Sequence, residues 1–369
     1  MFFTASLTLE FLITDRKNKM SLTKRKNTGV NEFNQQMKGS SLWADAWKRL
    51  MKNKMSVIGL VITGLYILVA ILAPVLPIYP YEQQVIDHAY LPPSFKPAGE
   101  ILLKQKEAYF AKVMKKEKRT EYNAAELEEI NKIKDEMELP VNQRHYILGT
   151  DSLGRDMLSR TIYGGRISIS IGLIGTVTAL IIGVLVGAIA GYAGGVTDSI
   201  LMRIVDIMYG LPYMLMVIIM MAVLGRSVAI LFIAIALVSW LTIARVVRAQ
   251  IMSLKHSEYV DAARTMGGSG AHIVFRHLLP NTLGIIITYA TLSLPEFIMS
   301  ESFLSFLGLG VSAPLASWGS LVSDGVKGME LYPWILLVPA VVMTVFLFAM
   351  NFLGDGVRDA FDPQSKNRV

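Results

Sequence analysis

Among the charged residues inside or at the edge of long apolar stretches are Arg203 and Asp206 at the start of one, and Glu296 and Glu301, close to Pro295, within another. Charge in hydrocarbon is costly, so such residues pair with one another or line a watery cavity. Arg203 and Asp206, three apart, can meet on one helix face, either as an internal structural pair or as a substrate contact. One or both glutamates should line a cavity or meet a base, and a peptide's ammonium group is one such partner. A second constellation is LGTDSLGRDMLSRTIYGGR, which brings together Gly149, Thr150, Asp151, Gly154, Arg155, Asp156 and Arg160. Asp151/Arg155 and Asp156/Arg160 are acid-before-base pairs at i,i+4, the favoured helical order. They predict a short surface helix with neutralised arginines, serving as an interfacial elbow for the next helix or as a contact for an external partner.

Other chemistry lacks its residues. No G-x-x-x-x-G-K-[ST] stretch could cradle nucleotide phosphates, so this chain binds no ATP, and no H-E-x-x-H or convincing nucleophile and base pair suggests a catalytic centre. Zero cysteines removes thiolate sites and disulfides. His272 and His277, five apart, fall off a common α-helical face with no carboxylate to complete a set, so no metal site is expected.

The elements that must hold these residues are membrane helices. Of 369 residues, 53% are hydrophobic and only 18% charged, and the mean hydropathy is +0.45. That exceeds the apolar share of soluble folds. Apolar runs at residues 55–79, 167–192, 199–224, 227–247, 282–307 and 332–353 are each long enough to cross a hydrocarbon layer of ~30 Å. The expected fold is an all-α integral membrane protein with six transmembrane helices.

The net charge of +7 reflects a basic N-terminal tail holding Lys24, Arg25, Lys26, Lys48, Arg49, Lys52 and Lys54. Positive-inside placement accounts for that tail better than nucleic acid does, and puts residues 1–54 in the cytosol. With six spans, the tail at 354–369 is cytosolic too. Parity then places residues 248–281 inside, where Arg248, Lys255, Arg264 and Arg276 agree, and 80–166 outside. The opening stretch MFFTASLTLEFLITDR lacks a basic n-region and makes a poor signal peptide, with Met20 or Met37 as the expected start.

The outer loop contains an expected amphipathic helix between Pro97 and Pro140, with Leu127, Ile130, Ile133 and Met137 at three-to-four spacing. It would pack one face on the protein's own surface or dock a partner. In the second run Gly175, Ala179, Gly183, Gly187 and Gly191 recur every four residues, a small stripe for close helix approach within the subunit or between subunits. In HSEYVDAARTMGGSGAHIVFRHLLPN, Ser257 is a plausible N-cap for a helix through Met266, Gly267 breaks it, a second helix begins near Ala271, and Pro280 stops that one. A helix, turn and helix makes a compact knob that another protein can push.

That knob resembles the EAA loop of type I ABC-importer membrane subunits through Asp261, Ala262, Ala263, Gly267, Leu279 and Pro280. Asp261 stands where the general pattern has Glu. His277 stands where it has Ile, although RHLLPN looks like the peptide-permease form. GTDSLGRDMLSR, GYAGGVTDSILMRIVDIMYGLP, SFLSFLGLGVSAPLASWG and GDGVRDAFDP are similar to the dipeptide/oligopeptide/nickel permease subfamily, as its C-type subunit, over residues 46–363. Only the segment 93–149 is some tens of residues longer than that pattern.

The resemblance implies the MetI-like permease fold, with residues 167–353 forming a five-helix core that includes the EAA loop, 257–281. It implies a bacterial inner-membrane permease that takes up oligopeptides or dipeptides, or alternatively nickel or another small solute. The expected partners are a second homologous permease subunit, two cytosolic ATPase subunits carrying ATP and Mg, and an external peptide-binding protein. Tyr259, Asp261, Ala262, Ala263, Gly267, His277, Leu279 and Pro280 would carry the coupling. A secondary transporter is the competing reading; it should show internal repeats and discontinuous helices. An intramembrane enzyme is a third.

Overall fold

The computed structural model describes residues 42–225 and 227–361. The expected starts Met20 and Met37, and most of both tails, lie outside the described residues. The chain divides into two units, 1–49 and 50–369; in the first unit the described part opens helix α1 (Leu42–Lys52).

Helix α2 (Lys54–Leu72) starts where the Asn53 side chain accepts from the N–H groups of Met55 and Ser56. It extends through a 3₁₀ turn to Val75. The outer loop carries α3 (Ala98–Glu117) and α4 (Ala124–Glu136). The single helix expected there is two, because Lys118 turns left-handed (φ 54°) and Asn123 caps α4 through a capping box with Glu126. Arg119 clasps the junction by bonding Glu126, which holds that carboxyl below its ordinary range. Ile130 is buried, while Leu127 of the same stripe is exposed.

Helix α5 (Met157–Ala193) is one unbroken helix beginning ahead of the expected start at 167. The next run is not the single helix expected over 199–224: α6 (Gly195–Gly210) and α7 (Tyr213–Leu224) meet at an angle of 82°. Pro212 fixes the break, since the residue before proline is driven extended and Leu211 has ψ 135°. Helix α8 (Val228–Leu254) follows. The knob consists of α9 (Glu258–Thr265) and α10 (Gly270–Ile273). Pro280 does not stop the second helix. A π-turn at Val274–Leu278 leads straight into α11 (Leu279–Phe306), with Pro280 in its first turn, where a missing N–H costs nothing. Helices α12 (Trp318–Val326) and α13 (Trp334–Phe361) complete the described chain, α13 running past the expected end at 353.

Contacts between helices fix their directions. Gly183 faces Ile243, Gly187 faces the Ala244 carbonyl at 2.5 Å from where a Cβ would be, and Gly191 faces the Arg248 carbonyl. These pairs advance together, so α5 and α8 are parallel and the small-residue stripe is used inside the subunit. Gly59 lies on Ala349 and Leu353 while Gly356 lies on Ser56, so α2 and α13 are antiparallel. Gly172 against Ile298, with Ser168 beside Glu301, makes α5 and α11 antiparallel as well. Because α5 and α8 cross in the same direction, the bent α6–α7 pair must carry the chain back across. Six crossings result, and the start of α2 and the end of α13 share one side.

Candidate functional site

The knob is built on the ends of α5 and α8. Val260, Ala263, Ile273 and Leu278 are buried in the same core as Ala188, Val247 and Ile251. Gly270 sits against the Tyr192 ring, and Lys255 donates to the Gly191 carbonyl at 3.3 Å. Gly267 takes φ 84° with nothing within 4 Å of an added Cβ. Gly268 N–H then reaches back to the Ala263 carbonyl at 3.0 Å, which closes a left-handed C-cap. The knob's outward side shows Tyr259 and Ala262 of α9 and Met266 at its C-cap; Met266 is 81% exposed, and Phe275 in the π-turn is 61% exposed. Ala263 therefore does not offer itself to a partner; it faces inward and its neighbour Ala262 faces out. Asp261 is exposed and holds Arg264 at 3.0 Å. His272 and His277 correct the spacing argument, since the i→i+5 turn between them brings their rings edge to face at 5.6 Å. Leu279 is half-buried and Pro280 exposed. Among the described residues no group of three potential ligands stands together for a metal ion.

The outer motif is a buried lock rather than a surface helix. Asp151 accepts from the N–H groups of Leu153 and Arg155, from Arg155 Nε at 2.7 Å and from Arg160 Nη1 at 2.5 Å. Arg160 thus pairs with Asp151, not with Asp156. Asp156 instead caps α5 through the Ser159 N–H at 2.9 Å and hydroxyl at 2.6 Å. Thr150 donates to the His88 carbonyl at 2.5 Å, and its own carbonyl accepts from Trp334 Nε1 at 3.2 Å. Gly149 and Gly154 both need positive φ, 79° and 67°. These bonds orient α5 against the segment 85–91 and against α13.

His88 is a buried imidazole of this outer module. Asn142 donates to the Glu136 carbonyl, which leaves its Oδ1 to accept from His88 Nε2 at 2.8 Å, and Tyr146 bonds Nδ1 at 2.9 Å. Burial, with the nearby Arg144 charge, lowers its pKa, against the Asn142 bond and Asp87, which raise it. An imidazole held neutral in the folded state takes its proton more readily when unfolded, so stability is lost as pH falls below the unfolded value of about 6.5. Protection of the amides in residues 85–91 and 142–150, taken relative to the intrinsic exchange rate at each pH, should therefore fall between about pH 7.5 and about pH 5.5. The same loss of protection in His88→Gln would show that another group is responsible.

Within the spans, Asp206 does not pair with Arg203; it bonds Arg245 of α8 at 2.6 Å, and Arg245 also lies 3.9 Å over the Tyr209 ring. Asp198 at the start of α6 is forked by Arg248, with Nη2 to Oδ2 at 2.5 Å. Sequence reasoning missed Arg245 and Arg248 as partners, because nothing local announces a bond between α6 and α8. Glu301 meets no base among the described residues. It is fully buried and accepts from Ser305 and Ser317, both at 2.6 Å, and more weakly from Ser168 at 3.4 Å, joining α5, α11 and the head of α12. Glu296 does line a cavity, of about 340 Å³, between the α6–α7 bend, α8 and α11. Ser293, Glu296 and Ser300 recur on one face of α11, a spacing that could have revealed this wall in advance.

Residues 183–367 match the family described as binding-protein-dependent transport system inner membrane component. Residues 41–93 match the N-terminal TM domain of oligopeptide transport permease C. The chain is 40% identical over 327 residues to the oligopeptide transport system permease protein OppC of Bacillus subtilis, spanning 89% of this chain and 91% of that protein. It is 39% identical over 349 residues to OppC of Escherichia coli K12, covering 94% of this chain and all of that protein. The dipeptide transport system permease protein DppC of Bacillus subtilis is 37% identical over 321 residues, 87% of this chain and 85% of that one. At these identities over most of both chains, the chain belongs to the inner-membrane permease subunits of binding-protein-dependent ABC transport systems.

Proposed function

We propose that this subunit carries oligopeptides or dipeptides across the inner membrane, driven by ATP hydrolysed on other chains. The observation that carries the coupling is the exposed apolar face of Tyr259, Ala262 and Met266 on a knob whose back is packed into the ends of α5 and α8. Such a face needs a partner, and a push on it must move two spans together. The occupants are a groove in each of two cytosolic ATPase subunits, which bind ATP and Mg, here and on a second homologous permease that completes the pathway as a heterodimer. A peptide-binding protein delivers solute from outside. The basic flank at Lys48, Arg49, Lys52 and Lys54 supports a cytosolic start, which makes the knob and the C-terminus cytosolic and α3–α4 external.

The test is reconstitution of the permease pair with the ATPases in liposomes. Peptide should accumulate only with ATP and binding protein, and the ATPases should copurify with this chain. Accumulation by the permease pair without the ATPases would sink the reading. A cysteine at position 265 that reacted with an impermeant thiol reagent in intact cells would reverse the orientation.

A further inference from the structure

We infer that the cavity between the α6–α7 bend, α8 and α11 is a subsite for a cationic group of the solute in transit, an ammonium or guanidinium, with Glu296 as its counter-charge. The inference rests on the transport reading above and names what one part of the pathway recognises. Its walls are Tyr213, Ser239, Thr242, Ser293 and Ser300 around Glu296, all within apolar helices. Hydroxyls and one carboxylate on a shared face are disfavoured against lipid and favoured against water or a polar solute. Among the described residues Glu296 has no hydrogen bond or ion pair, in contrast with Glu301, which three serines satisfy. Arg245, which lies on the lining residue Tyr209, is already committed: it bonds Asp206, and the Tyr209 hydroxyl bonds Thr242 at 2.5 Å. Pro295, buried next to Glu296, has no N–H to offer the Thr291 carbonyl, so one more acceptor is released in that turn.

The site thus presents acceptors and one uncompensated negative charge, the complement of a group that has only N–H donors and a positive charge. Its volume, about 340 Å³, is at the small end of the roughly 300–1,000 Å³ of ligand pockets, so it holds one side chain or one terminus and not a whole oligopeptide.

The experiment uses the reconstituted complex with ATP and binding protein, and two probes, Ala-Lys-Ala and Ala-Gln-Ala. Both carry a terminal ammonium, and only the first carries a second. Transport of Ala-Gln-Ala by the unmodified complex checks the transport reading itself, so its failure is distinct from failure of the subsite. Glu296→Gln should slow Ala-Lys-Ala about tenfold, the factor for about 1.4 kcal/mol. If Ala-Gln-Ala is unaffected the side chain is the occupant, and if it slows equally the terminal ammonium is. In both cases Glu296→Asp, which keeps the charge, should recover much of the rate. Unchanged rates in Glu296→Gln would overturn the subsite. So would equal losses of both peptides that Glu296→Asp fails to relieve, since that marks a packing role.

Discussion

Glutamate in place of Ala262 should reduce peptide uptake by at least about tenfold while the six crossings stay inserted and the chain accumulates normally. Ala262 is exposed on the outer side of α9, between Tyr259 and Met266, so the new charge meets water in the isolated subunit and a dry surface only when a partner is seated. An unpaired charge buried in an interface costs several kcal/mol, more than such an interface can spare. Recovery of the ATPases with this chain should fall in parallel. Ala263→Glu is the wrong probe for docking, because Ala263 is buried beside Val260 and Ile273 and its replacement would unseat the knob from within. Gly267 separates the two effects from another direction. With φ 84° and open space around it, Gly267→Asn should be near normal and Gly267→Val should lower the amount of folded protein. Normal uptake and normal ATPase recovery in Ala262→Glu would refute docking through this face.

Gly154→Ala should nearly eliminate folded protein. A Cβ at that position would lie 1.8 Å from the Val85 carbonyl oxygen and 2.7 Å from its carbon, both backbone atoms that cannot swing aside. The left-handed φ of 67° adds roughly 1–2 kcal/mol for any residue with a Cβ. Together these should exceed about 4 kcal/mol, a large share of a typical folding free energy. Gly195 supplies the control, since its φ is 54° but nothing lies within 4 Å, so Gly195→Ala should show the conformational cost alone. Membrane abundance and thermal unfolding of both variants decide the matter. Equal behaviour of the two would mean that the contact between 85 and 154 is not what holds the outer lock.

The crossings were legible because hydrophobicity is a property of each residue, summed along a run. What a run does within itself was less so. Hydropathy is indifferent to the break at Leu211, although Gly210, Leu211 and Pro212 together carry the local signal for one. Helix α5 begins at Met157 because Asp156 caps it, and Arg160 and Arg166 hid that start from a reading based on apolar length. In the knob, the motif marked the right loop but not its faces. Ala262 and Ala263 differ by a 100° step around a helix, and two alanines give no polarity contrast to say which is outside. Asp151 does meet Arg155 at the expected i,i+4 spacing, but its second bond, to Arg160, could not be read from that rule, since the chain there is a turn and not a helix. The serines around Glu301 come from three separate segments, and only the folded chain brings them together.

Helix α5 also sets a scale for movement. Its 37 residues make a rod of roughly 55 Å at 1.5 Å per residue, nearly twice the thickness of the hydrocarbon layer. The knob rests on one end through Tyr192 and Gly191, and the outer lock is fastened to the other through Asp156. Along such a lever, a tilt of about 5° about the middle displaces each end by roughly 2.4 Å in opposite senses. That is about the rise of one and a half helical residues, enough to shift a side-chain contact into the next position. Leverage of this kind needs no relay of individual side chains between the two surfaces; the distance is covered by the stiffness of one helix.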